Sequence, residues 1–163
     1  MQSIKIPHVE TGYFSTKIQD FLNRNEKLSP FLNDYFSIEG VKEIINKREQ
    51  FPFVDRAVLS KTLLAQYEGE DISEATKANI AALANPKTYT ITTAHQLNLF
   101  TGPLYFFYKI LHCINLCEQL NDAEKDHRFV PIFWMHTEDH DFEEVNHLNI
   151  FDNKIEWKTE QTG

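Results

Sequence analysis

Three stretches in the second half of the chain restrict its fold more than any others: KTYTITTA (Lys87 to Ala94), PLYFFYKILHCINLCEQL (Pro103 to Leu120) and RFVPIFWM (Arg128 to Met135). The first alternates and is rich in Thr, Tyr and Ile, which suits a strand. The second is apolar on most sides, with Lys109, His112, Asn115 and Gln119 as a narrow polar stripe, and reads as a largely buried helix. The third is a continuous apolar run, expected of a strand covered on both faces. Strand, buried helix, strand is a βαβ unit, whose right-handed crossover makes the two strands parallel. Further on, HLNIF and KIEWKT flank Asp152-Asn153 and predict a small open sheet completed by two short strands with a tight turn there.

Before Asn85-Pro86 the grammar is helical. Ser15 is placed to cap a helix carrying Ile18, Phe21 and Leu22, and Ser29-Pro30 interrupts before FLNDYF. Ile38 to Gln50 and Asp55 to Tyr67 space their apolar residues as helices do, and Ser73 to Ala84 starts with a Ser cap followed by Glu74. The expectation is an α/β fold: a helical segment over residues 1–85 packed as a layer on the first half of a parallel-sheet core over residues 86–163. The two make one truncated domain. The chain stops at TEQTG where another element is due, so the sheet reads as incomplete and the chain as the N-terminal portion of a longer protein.

At 163 residues the chain has the length of one domain and can bury a core. Lys plus Arg is 16 against Asp plus Glu 24, a net charge of −8, which repels nucleic-acid backbones and anionic membranes. No stretch offers the roughly 18 uninterrupted apolar residues of a membrane span, and the N-terminus has no signal-peptide core. A soluble, cytoplasmic protein is expected. Cys113 and Cys117, four apart on the predicted helix, are not directed toward disulfide closure and read as small buried apolar groups.

In open α/β sheets, ligands settle beyond the carboxyl ends of the strands. HQLNLFTGP, His95 to Pro103, follows the first strand. Pro103 suits the first helical position, Gly102 permits close backbone approach, and free N–H groups there can hold an anion. A Pro-started helix with a polar loop accounts for the same residues without any ligand. HTEDHDFEEVNH, His136 to His147, follows the second strand, and eight of its twelve residues are His, Asp or Glu. Asp141 and Glu144 have capping-box spacing, which explains Asp141, Glu143 and Glu144 but leaves Glu138, Asp139 and His140 projecting at the strand tip. His140, Glu144 and His147 would share a helical face and could hold a metal, although the HExxH order is absent.

The segment TTAHQLNLFTGPLYFFYKI together with VPIFWMHTEDHDFEEVNH resembles the bacillithiol biosynthesis cysteine-adding enzymes, a cysteine ligase family. Upstream, YFS and INKREQFPFVDRAVLSKTLLAQY agree more loosely, and the chain corresponds to about the first third of a family member. The resemblance implies a Rossmann-like core akin to class I aminoacyl-tRNA synthetases. Inserts and a C-terminal coiled coil would lie beyond this chain, with a homodimer formed through that C-terminal region. It implies amide formation between the carboxyl of L-cysteine and the amine of glucosaminyl malate, with ATP as the candidate activating cosubstrate and no tightly bound metal.

On this reading His95, Gln96, Gly102 and Pro103 hold a phosphate or carboxylate, while Asp139, His140 and Asp141 bind an amine and deprotonate it. Family members carry His or Gln at position 95, which favours hydrogen bonding over proton transfer. Ala94 stands where a Gly is expected, a departure that narrows ligand approach to that turn. A neighbouring carboxylate raises an amine's pKa, so the acidic wall favours binding more clearly than activation. The chain alone is expected to be inactive. Two rivals remain: a metal-dependent hydrolase built on residues 136–147, and a non-catalytic binding fragment.

Overall fold

A computed structural model describes residues 4–35, 37–49, 55–139 and 141–160. The chain gathers into two compact units, Met1–Pro52 and Phe53–Gly163.

The first unit holds helices α1 (Thr16–Leu22) and α2 (Ile38–Arg48) with 3-10 turns at His8–Thr11 and Glu26–Phe31. Ser15 caps α1 by accepting from the Ile18 N–H, and Ser37 caps α2 by accepting from Gly40. Ser29-Pro30 does not interrupt the chain as expected. The second 3-10 turn runs through both residues, because Asn25 caps its start and Pro30 sits where its fixed φ is tolerated.

In the second unit, α3 (Arg56–Gln66) starts at Asp55, whose carboxylate accepts from the Ala57 and Val58 N–H groups, and α4 (Glu74–Ala82) starts at Ser73. The two helices are joined through the Ser60 hydroxyl, which donates to the Ile80 carbonyl at 3.0 Å. Strands β1 (Thr88–Ala94) and β2 (Arg128–Trp134) pair in parallel from Thr88↔Arg128 to Ala94↔Trp134, and α5 (Leu104–Ala123) crosses between them. The expected βαβ unit is present. Asn121 of α5 ties the helix to β2, donating to the Phe129 carbonyl and accepting from its N–H. The core is Ile80 and Leu83, Cys113, Cys117 and Leu120, with Phe129 and Val130. Burial of those two consecutive strand residues covers both faces of β2 at its start, whereas Trp134 at its end is 55% exposed.

Helix α5 is not largely buried. Cys113, Cys117 and Leu120 make one inward stripe, while Leu104, Tyr105, Phe107, Tyr108, Leu111 and Ile114 are exposed. Two strands about 5 Å apart present a surface wide enough for only one stripe of a helix. The short helix α6 (Phe142–Val145) leads to β3 (His147–Ile150) and β4 (Asn153–Glu156), which pair antiparallel as a sheet of their own instead of extending β1 and β2. The turn lies one residue earlier than expected, at Phe151-Asp152, because Asn153 is already paired with Ile150 in the register that sets Leu148 against Ile155. Among the described residues no helix is long and apolar enough to cross a membrane.

Both cysteines are buried free thiols. Burial, reinforced by the neighbouring Cys113, pushes the Cys117 thiol up to about 12 from its usual 9.0. The unfolded thiol therefore ionises first, so this contribution to stability is intact below 9.0 and declines as pH rises toward about 12. The stability advantage of wild type over Cys117→Ala is expected to shrink as urea titrations are moved above pH 9.0. A constant difference would mean that the thiol meets solvent.

Candidate active site at the strand ends

Parallel pairing in register brings β1 and β2 to an end together. Ala94 is the partner of Trp134, and the His95 N–H extends the ladder by donating to the Trp134 carbonyl at 3.2 Å. The loops after both strands therefore leave the same rim, where open α/β sheets bind ligands. Lys109 of α5 reaches back to donate to the Ala94 carbonyl, so its ammonium is turned to this rim.

In the first loop the His95 ring is the centre of a polar cluster. Its Nε2 lies 2.6 Å from the Tyr105 hydroxyl, and its Nδ1 lies 2.8 Å from the Asn98 amide nitrogen and 3.0 Å from the Gln96 carbonyl. Phe106 meets the imidazole edge-on, with ring centroids 5.8 Å apart. Asn98 also donates to the Gln96 carbonyl at 2.9 Å. Gln96 thus takes part through its backbone. A 3-10 turn at Leu99–Thr101 follows, with Phe100 and Thr101 at φ 46 and 73. Left-handed backbone at bulky residues is strained and tends to mark functional loops.

Gly102, at φ 69 and ψ −166, closes that turn by donating its N–H to the Leu99 carbonyl. Its N–H is therefore engaged. The close approach it permits is to Asn98: a Cβ here would lie 2.9 Å from both Cβ and Cγ of that residue. Pro103 is not the first helical residue but the cap before it, with ψ 160, and α5 begins at Leu104 without a side-chain cap.

The second loop starts with His136 at φ 42, against the Trp134 ring, and turns so that the Asp139 N–H donates to the His136 carbonyl at 3.3 Å. Asp139 is exposed. Asp141 is committed to capping α6, accepting from the Glu143 N–H at 2.9 Å. His140 lies outside the described residues. The alternative of a metal on a helical face of His140, Glu144 and His147 requires the helix to run on through His147. Helix α6 ends at Val145, and His147 is already the first residue of β3, which breaks the helical spacing. Among the described residues no three His, Cys, Asp or Glu side chains gather as a metal site would require.

The two loops contribute to a common pocket of about 620 Å³, where Leu97, Asn98 and Leu99 meet Thr137 and the hairpin residues Leu148 and Trp157. Of the predicted residues, His95, Gln96, Gly102, Pro103, Asp139 and Asp141 do not line it; His95 is joined to its lining through Asn98. A larger cavity of about 810 Å³ lies between α3, α4 and β2, lined by Leu59, Leu63, Val130 and Ile132 and reaching Glu138 at the second loop. Asn98 and Tyr105 were not among the predicted site residues. Both stand in the motif that prompted the prediction, yet no periodicity relates them to His95.

A family model described as "Bacillithiol biosynthesis BshC, N-terminal Rossmann-like domain" matches residues 1–163. Proteins named "Putative cysteine ligase BshC" are similar over most of the chain. The one from Flavobacterium psychrophilum is 49% identical over 160 residues, 97% of this chain and 30% of that protein. That of Flavobacterium johnsoniae is 45% identical over 159 residues, with the same coverage. The one from Staphylococcus carnosus is 34% identical over 136 residues, 82% of this chain and 25% of that protein. The chain spans about a third of the length of the curated relatives it matches most fully.

Proposed function

The chain belongs to the bacillithiol biosynthesis BshC family as its N-terminal Rossmann-like domain, and from that premise we propose that it supplies one wall of the active site of a ligase. That ligase joins the carboxyl of L-cysteine to the amine of glucosaminyl malate. The observation that carries this reading is the shared rim: His95 and the acidic loop leave the paired ends of two parallel strands, tied by the bond from His95 to Trp134.

A carboxylate does not acylate an amine unaided. The cysteine carboxylate attacks the α-phosphorus of ATP, pyrophosphate leaves, and the amine then attacks the adenylate carbonyl, releasing AMP and a proton. This is the chemistry of a class I synthetase-like core, completed by the rest of a longer chain. His95, Gln96 and the turn at Gly102 and Pro103 shape the side of the rim that faces the anionic partner, His95 through the Tyr105 hydroxyl it bonds and Gly102 through its packing on Asn98, where a donor is most useful as charge develops. Asp139 binds the amine as its ammonium, and His140, assigned here from the sequence motif alone, takes its proton before the attack. Asp141 contributes through its cap of α6, which keeps that loop in place.

The test is a full-length relative carrying Asp139→Ala. Cysteine-dependent amide formation is expected to fall about 10- to 100-fold, the loss associated with one charged hydrogen bond, while circular dichroism stays unchanged. Wild-type turnover would remove Asp139 from the site. Absence of any cysteine-dependent product from the wild-type enzyme would remove the ligase reading altogether.

A further inference from the structure

We propose that Asn98 sets the tautomer of His95 so that Tyr105 offers its hydroxyl proton to an anionic oxygen of the substrate, a carboxylate or a phosphoryl group. The identity of that substrate rests on the ligase reading above. The proton arrangement rests on geometry.

An amide nitrogen donates two hydrogens and accepts none. Those of Asn98 go to the Gln96 carbonyl, 2.9 Å away, and to His95 Nδ1, 2.8 Å away. The Gln96 carbonyl, 3.0 Å from Nδ1, would by itself favour a proton there. The carbonyl has two lone pairs and could accept from both, but a proton on Nδ1 would leave the second Asn98 N–H, 2.8 Å away, opposed by a donor with no acceptor to meet it. Nδ1 is therefore the acceptor, and the neutral ring carries its hydrogen on Nε2.

Nε2 faces the Tyr105 oxygen at 2.6 Å, so it donates to the phenol and the phenol's own hydrogen turns away. Tyr105 has no other hydrogen-bond partner among the described residues and is 52% exposed at the strand-end rim. Gly102, packed on Asn98 with no room for a Cβ, holds the start of this chain of bonds. Phe106 steadies the ring from its side. Asn98 is thus a positioning residue. Tyr105 is the group that meets the ligand.

The experiment uses a full-length family member with these residues, labelled with nitrogen-15 in histidine, the His95 signals being assigned by their loss in His95→Gln. Wild type is expected to show a protonated Nε2 and an unprotonated Nδ1. Asn98→Asp supplies an acceptor of the same shape and is expected to reverse the two, so that Nε2 takes the phenol hydrogen. Both Asn98→Asp and Tyr105→Phe should lower kcat/KM about 10- to 100-fold. His95→Gln, whose amide retains one acceptor and one donor, should keep about 10-fold more activity than His95→Ala. A rise confined to the KM for cysteine identifies the oxygen as the carboxylate, and one confined to ATP identifies a phosphoryl group. Protonated Nδ1 in wild type, an unchanged tautomer in Asn98→Asp, or full turnover in Tyr105→Phe would each overturn the proposal. If wild type makes no amide, the ligase reading fails, and the nitrogen spectra of wild type and Asn98→Asp alone decide the tautomer.

Discussion

Replacing Gly102 with alanine is expected to cost about 2–6 kcal/mol of stability, from two additive causes. The backbone at φ 69 and ψ −166 lies in a region open essentially to glycine alone, which penalises any other residue by about 1–3 kcal/mol. The new methyl group would also stand 2.9 Å from Asn98 Cβ and Cγ and 3.2 Å from Oδ1. Those are interior atoms of a short side chain, so the clash moves the loop and adds about 1–3 kcal/mol. Whole domains are stable by only about 5–15 kcal/mol, so the loss should be plain in a urea titration. Displacing Asn98 should also release His95, and activity of the full-length enzyme should fall even where the protein stays folded. A denaturation midpoint equal to that of wild type would show that Asn98 yields freely and that the glycine is incidental.

Arg56→Met is expected to be as damaging, at about 3–5 kcal/mol, although Arg56 lies far from the site in sequence. One guanidinium nitrogen donates to the carbonyls of Leu83, Asn85 and Thr88 at 3.3, 3.2 and 2.9 Å. It thereby stitches the start of α3 to the end of α4 and to the first residue of β1. Leu83 and Thr88 are each 2% exposed, so water cannot readily replace the lost donor. Loss of the donor to the two buried residues, Leu83 and Thr88, costs about 1–3 kcal/mol apiece, discounted because they share one nitrogen, whereas Asn85 is exposed and its carbonyl still accepts from the Thr88 N–H. Methionine keeps the stem and removes the charge. Equilibrium unfolding should show a lower midpoint with an unchanged denaturant slope, and Arg56→Lys should recover only part of the loss, since an ammonium cannot reproduce the planar fork. A loss below about 1 kcal/mol for Arg56→Met would mean that solvent reaches these carbonyls.

Much of this fold was legible because its signals are local. Ser15 and Ser73 cap the helices they were expected to cap, since a side-chain oxygen three residues from an unpaired N–H needs no distant partner. The strands around α5 follow from alternation and from continuous apolar character in the same way. The misplacements are of two kinds. Pro103 and the Phe151-Asp152 turn each differ by one position, because register and loop closure, rather than residue preference, place them. The burial expected of helix α5, and the alternative that set Glu144 and His147 on one helical face, fail for a larger reason. Hydrophobicity states what a helix would bury, and spacing states what it would align, but neither supplies the covering surface or the helix length.

The candidate site divides along the same line. His95 and Asp139 could be singled out because loops after parallel strands share a rim, a rule of topology that any βαβ pattern carries. Sequence alone therefore determined the strands and helix of the βαβ unit, their parallel order and the rim that the two loops share. The convergence of Asn98 and Tyr105 on the two nitrogens of one imidazole, and the use of Gly102 to make room for Asn98, were decided by the tertiary structure. Those contacts run through a strained turn that obeys no period, and only closing the loop between strand and helix brings them together.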